Sequence, residues 1–169
     1  MSIAIYLLFL YAFSGMLFDL RTDRIPNLLL AAELAGGLIY QLFILGGVGV
    51  LSFLAGVFVP FALSYVLFLF RMIGAGDIKL LMALGSISGF PANVRIMLWS
   101  LVFGGVCALF IMWRRTGFRS RFAYLAGYAA DFMRTGVRKP YLKKGRRAEN
   151  FHFTIAIFAA VVTHCLLQR

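Results

Sequence analysis

The chain has 169 residues, 62% of them hydrophobic and 14% charged, with a mean hydropathy of +0.90 and a formal net charge of +11. That balance excludes a soluble globular domain and indicates an integral membrane protein, with room for one domain of about six helical spans at about 20 residues each. The positive charge does not point to nucleic acid, because most of it falls in one stretch beside apolar segments, where anionic lipid and topology account for it.

The first apolar run, from about Ile3 to Phe18, has no Lys or Arg before it and ends at Asp19 rather than at a small-residue cleavage site. It therefore reads as a span and not as a cleavable signal peptide. The polar stretch DLRTDRIPN follows, and Pro26 and Asn27 shape the entry to a second helix, from about Leu28 to Leu45. GGVGV reads as a tight turn ahead of a third helix, from about Leu51 to Phe70. RMIGAGDIKLLMALG then sets Asp77 and Lys79 at the mouth of a short apolar helix, about Ile78 to Ile87, which cannot cross the hydrocarbon core without protein around it. After a loop, GFPANVR, a fifth helix is expected from about Ile96 to Trp113 and a sixth from about Phe151 to Leu167. Between these two, the basic segment from Arg114 to Arg147 carries Phe118, Phe122, Leu125, Ala129, Phe132 and Met133 at helical spacing. It reads as an interfacial amphipathic helix ending in the polybasic RKPYLKKGRR. The expected fold is an all-α polytopic membrane bundle in a single domain, 1–169, with core spans over about 3–90, a basic segment over about 114–150 and a last span over about 151–167.

With six spans, fifteen of the seventeen Lys and Arg residues fall on one side, and only Arg95 and Arg169 lie opposite. The positive-inside rule makes the rich side cytoplasmic and the N-terminus external, and it places Asp19 and Asp77 together on the cytoplasmic side. A carboxylate within a span costs about 2.5 to 3.5 kcal/mol on insertion scales, so it is kept for a reason. Two of them about 4 Å apart repel by about 4 kcal/mol at an effective dielectric near 20. Such a pair shares one proton. A shared proton is what aspartic proteolysis requires: the ionised carboxylate draws a proton from water while its protonated partner polarises the peptide carbonyl. Gly74 and Gly76 would let the backbone take unusual angles and let a substrate strand approach just before Asp77. The plainer alternative is that Asp77 caps the short helix, with the two glycines as its turn, and that Asp19 is a loop residue; spacing alone does not separate the two.

Lys79 either influences the charge on Asp77 or anchors among lipid headgroups. Asp23 is a weaker rival for Asp19, lying in the polar loop as a solvated pair with Arg24. Glu33, one or two turns into the second helix, is expected to pair with Arg24 or Lys79, or to line the site. His152 and His164 stand apart at opposite ends of the sixth helix and read as interfacial and polar-tail residues, so no metal site is expected. Cys107 and Cys165 lie in apolar runs and read as packing residues without a disulfide framework.

GAGDIKLLMALG resembles the Gly-x-Gly-Asp motif of the intramembrane aspartyl proteases, in the form carried by type IV prepilin peptidases and archaeal preflagellin peptidases. DLRTDRIPNLL is similar to the other half of that signature, an Asp closing the first core helix ahead of basic residues and Ile-Pro-Asn. The resemblance is close over about residues 3 to 90 and rests on hydropathy beyond them. It implies Asp19 and Asp77 as the catalytic pair, with Lys79, Pro26 and Asn27 at secondary motif positions and no cofactor. It also implies a pilin or flagellin precursor as substrate, cut between a short basic leader and a hydrophobic helix at the cytoplasmic membrane surface. The sequence departs from larger bacterial relatives in carrying no N-terminal methyltransferase region with paired cysteines, so methylation is not expected. Its last helix opens with ENFHFTIAI where relatives often have proline. In size it most resembles the stand-alone peptidases of tight-adherence (Flp) pili, ahead of the archaeal enzymes. Two other classes stay open: a proton-coupled transport component relaying protons through Asp19 and Asp77, and a non-catalytic scaffold docking through the segment from Arg114 to Arg147. Transport sites usually lie nearer the midplane than these carboxylates do.

Overall fold

The computed structural model describes residues 3–69, 73–116 and 152–167, so the amphipathic helix and polybasic loop expected after Arg114 lie, beyond Thr116, outside the described residues. The chain divides into two compact units, Met1–Gly104 with His152–Arg169, and Gly105–Phe151; within the second, the described residues 105–116 are helical. Every element among the described residues is a helix: α1 (Ile3–Thr22), α2 (Asn27–Leu45), α3 (Gly47–Leu69), α4 (Ala75–Thr116) and α5 (Phe153–Leu167). The first three, and α4 over Ala75–Phe110, are long and apolar enough to cross a membrane, and α5 is a shorter apolar helix. Gly89 breaks α4 with φ 72° and ψ 178°, a conformation open to glycine alone, so α4 is two helical arms, 75–88 and 90–116.

Polarity in this bundle runs opposite to that of a soluble protein. Phe43 is 86% exposed and Leu28 82%, whereas Glu33, Gln41, Ser64, Asn93 and Thr154 are buried. Only a hydrocarbon solvent makes that distribution favourable, so the protein is membrane-embedded.

The first arm of α4 runs through the centre of its unit, with Leu80, Leu81, Ala83 and Leu84 almost wholly buried, as its shortness requires. Because lipid is as apolar as leucine, close contact rather than apolar burial holds such helices together. Gly56 of α3 and Gly85 of the first arm meet backbone to backbone: a Cβ on either would overlap the carbonyl oxygen of the other.

Two prolines leave carbonyls without an amide four residues on, and buried side-chain amides satisfy both. Pro60 within α3 cannot serve Gly56 O, which accepts instead from Asn93 Nδ2 at 3.3 Å. Position 91 is also proline, and Ile87 O accepts from Gln41 Nε2 at 2.8 Å. Asn93 Nδ2 reaches Leu81 O as well, at 2.8 Å. In hydrocarbon no water could replace these donors. Gln41→Leu is therefore expected to cost about 1–3 kcal/mol, seen as an earlier unfolding midpoint when detergent-solubilised protein is titrated with SDS. An unchanged midpoint would remove Gln41 from that role.

Several element boundaries differ from the sequence expectation, each for a local reason. α1 continues past Phe18 to Thr22, so Asp19 sits in its last turn; the helix ends only at Asp23, whose φ of 53° is left-handed and whose N–H bonds Asp19 O at 2.9 Å. Gly46 alone, at φ 60°, makes the turn into α3, which starts at Gly47 rather than near Leu51. GFPANVR is not a loop: after the break at Gly89 the helix restarts at once, and Pro91 falls in the new first turn, where its missing N–H is not needed.

Candidate active site

α1 and α5 run antiparallel, joined by the Phe158 ring, which meets Phe9 edge-on at 5.2 Å between centroids and Phe13 at 6.2 Å. This packing carries the start of α5 to the last turn of α1. There Asp19 Oδ2 accepts the Thr154 hydroxyl at 2.8 Å and lies 3.0 Å from His152 Nδ1. The opposite ring nitrogen, Nε2, is 3.8 Å from Asp23 Oδ1.

The N-terminus of α4 reaches the same place from the other side. Leu80 fills the space that Gly15 leaves on α1, since a Cβ on Gly15 would stand 3.2 Å from Leu80 Cδ2 and closer still to Cδ1. Asp77 lies about one turn before Leu80, and Asp19 about one turn after Gly15. The structure thus brings the two aspartates together, and the Asp77 carboxyl is within electrostatic range of both Asp19 and His152. Asp77 is the third residue of α4, and its Oδ2 accepts the Gly74 backbone N–H at 3.0 Å, the reach-back contact of a helix cap. Capping and pairing with Asp19 are therefore not exclusive. Each carboxyl anchors only Oδ2 among the described residues. That arrangement holds the two groups in place through one oxygen each, as far as the described residues go.

Around this pair the structure corrects several expectations. Neither Gly74 nor Gly76 takes a positive φ; among the described residues only Gly46 and Gly89 do so as glycines. A Cβ on Gly74 would come within 3.1 Å of Asp77 Oδ2, and one on Gly76 would make ordinary contact with the buried Ile25. Lys79 Nζ donates to Asn27 Oδ1 at 2.6 Å, tying the first turn of α4 to the start of α2 where Pro26 is the N-cap residue. Glu33 pairs with neither Arg24 nor Lys79: it is buried and accepts from Ser14 Oγ at 2.8 Å. Ser14 is five residues before Asp19, about 7.5 Å deeper along α1. Asp23 approaches His152 rather than forming an ion pair with Arg24.

His152 and Thr154 are the residues that sequence reasoning missed. A signal was available: alternation of spans puts the start of the last helix on the same face as Asp19, and ENFHFTIAI supplies two polar side chains there. His164, expected in a polar tail, is instead buried within α5. Among the described residues no group of three or more His, Cys, Asp or Glu side chains is arranged to hold a metal ion.

A family model described as the type IV leader peptidase family matches residues 4–109, well over half of the chain and the part that carries both aspartates. No curated protein and no solved structure gives a match.

Proposed function

Because the chain belongs to the type IV leader peptidase family, we propose that it is a membrane-embedded aspartic endopeptidase whose catalytic pair is Asp19 and Asp77. Its substrate would be a pilin-like precursor, of the tight-adherence (Flp) type, whose short basic leader it removes at the cytoplasmic membrane face. The observation that carries this reading is the meeting of two carboxyls from α1 and α4, each held through its Oδ2 among the described residues. The pair holds one proton between two charges that repel. The ionised member takes a proton from water as the water oxygen bonds to the scissile carbonyl carbon, and the protonated member gives its proton to the carbonyl oxygen. When the C–N bond breaks, a proton passes to the leaving nitrogen, and no covalent enzyme intermediate is formed. The charge bias of the loops supports a cytoplasmic site, where a basic leader meets an apolar helix at the membrane surface.

The test uses the purified full chain in detergent with a peptide joining a short Lys/Arg leader to the apolar start of a pilin helix. Mass spectrometry should find one cut, at the junction. No cut, or cuts scattered along the peptide, would overturn the proposal.

A further inference from the structure

The two candidate carboxyls are held by different donors. Asp77 Oδ2 receives one backbone N–H, from Gly74, in a contact any first-turn carboxyl could make. Asp19 Oδ2 is approached by two side chains at the start of α5, Oγ1 of Thr154 at 2.8 Å and Nδ1 of His152, the residue just before the helix, at 3.0 Å. Thr154 is fully buried, so its hydroxyl has no solvent alternative. Both contacts come from the far end of the chain, 133 and 135 residues from Asp19.

We propose that His152 is a positioning residue for the reaction: with Thr154 it orients Asp19 as the base of the pair, leaving Asp77 to carry the proton that polarises the carbonyl. This inference rests on the peptidase reading given above. Donors aimed at a carboxyl oxygen favour its charged form, and among the described residues Asp19 has two side-chain donors where Asp77 has one backbone donor. An ionised Asp19 accepts only, so in this scheme Nδ1 is the donor to it, while Nε2 stands 3.8 Å from Asp23 Oδ1. The carboxyls facing the ring among the described residues are thus Asp19 from α1, Asp23 from the turn after it, and Asp77 from α4. Neither His152 nor Thr154 transfers a proton to substrate in this scheme. They determine which oxygen of Asp19 is anchored.

Three variants of the full chain test this in detergent with the leader peptide: His152→Asn, whose side-chain nitrogen falls near the position of Nδ1; His152→Gln, whose nitrogen falls near Nε2; and His152→Ala. The expected result is near-normal cleavage for His152→Asn, and about a ten- to hundredfold loss of kcat/KM for the other two, the usual effect of losing a hydrogen bond to a charged group. In those two the loss should fall on kcat with KM little changed, because the base has lost a donor that orients it and the substrate has lost no contact. His152→Asn keeps the question open to refutation should His152→Ala fail to insert. Full activity of His152→Ala, or equal losses in all three variants, or a loss that falls on KM alone, would overturn the positioning role. If wild type cleaves and His152→Ala behaves as wild type, only this inference falls; if wild type does not cleave at all, the peptidase reading falls and takes the inference with it.

Discussion

Asp19→Asn and Asp77→Asn should each abolish leader removal, by at least about a thousandfold, with the protein inserted in the membrane at its normal level. Loss of one general acid or base alone accounts for about 10²- to 10⁴-fold. The substitution is chosen so that the scaffold stays intact. An Asn at position 77 still offers an oxygen to the Gly74 N–H, which lies 3.0 Å from Asp77 Oδ2. An Asn at position 19 still offers one to the Thr154 hydroxyl. Neither amide can share a proton with the remaining carboxyl, so chemistry is lost while the contacts survive. The double variant should be no worse than either single, because residues acting as one unit are strongly non-additive. The measurement is coexpression with a pilin precursor, reading precursor size on a gel beside a blot for membrane levels. Unchanged processing in either variant would remove that residue from catalysis. A scaffold would tolerate both substitutions, and a transport component would lose flux with processing unaffected.

The largest effect on folding is expected at Gly85. Its Cβ position lies on Gly56 O, a backbone atom of α3 that cannot swing aside, and the Asn93 amide occupies the same place. Gly85→Ala should therefore force α3 away from the first arm of α4 and break the Asn93 bonds to Gly56 O and Leu81 O. Overpacking of this kind costs about 3 kcal/mol or more when the neighbour is rigid. Purified variant should lose its monodisperse peak on size-exclusion chromatography and unfold at markedly lower SDS. Gly76→Ala is the contrast, because the added carbon would meet Ile25 Cγ1 at an ordinary 3.7 Å and the fold should persist. Equal behaviour of the two variants would mean that the α3–α4 crossing does not depend on glycine.

What the sequence alone determined are the properties carried by neighbours along the chain. Apolar runs and their breakers locate the helices and show that the solvent is lipid. The Gly-Ala-Gly-Asp stretch and the Asp19 segment point to the family that the match over residues 4–109 then identifies. Helix ends were less legible, because a single left-handed residue such as Asp23, Gly46 or Gly89 sets them, and hydropathy does not register that choice. Tertiary structure alone decided the partners of the polar side chains. Gln41 reaches Ile87 across 46 residues, Ser14 rather than a cation meets Glu33, and His152 and Thr154 arrive on Asp19 from the far end of the chain. The physical reason is the same in each case: inside hydrocarbon a polar group must find its partner within the protein, and which partner is within 3 Å depends on how the helices cross, not on their order.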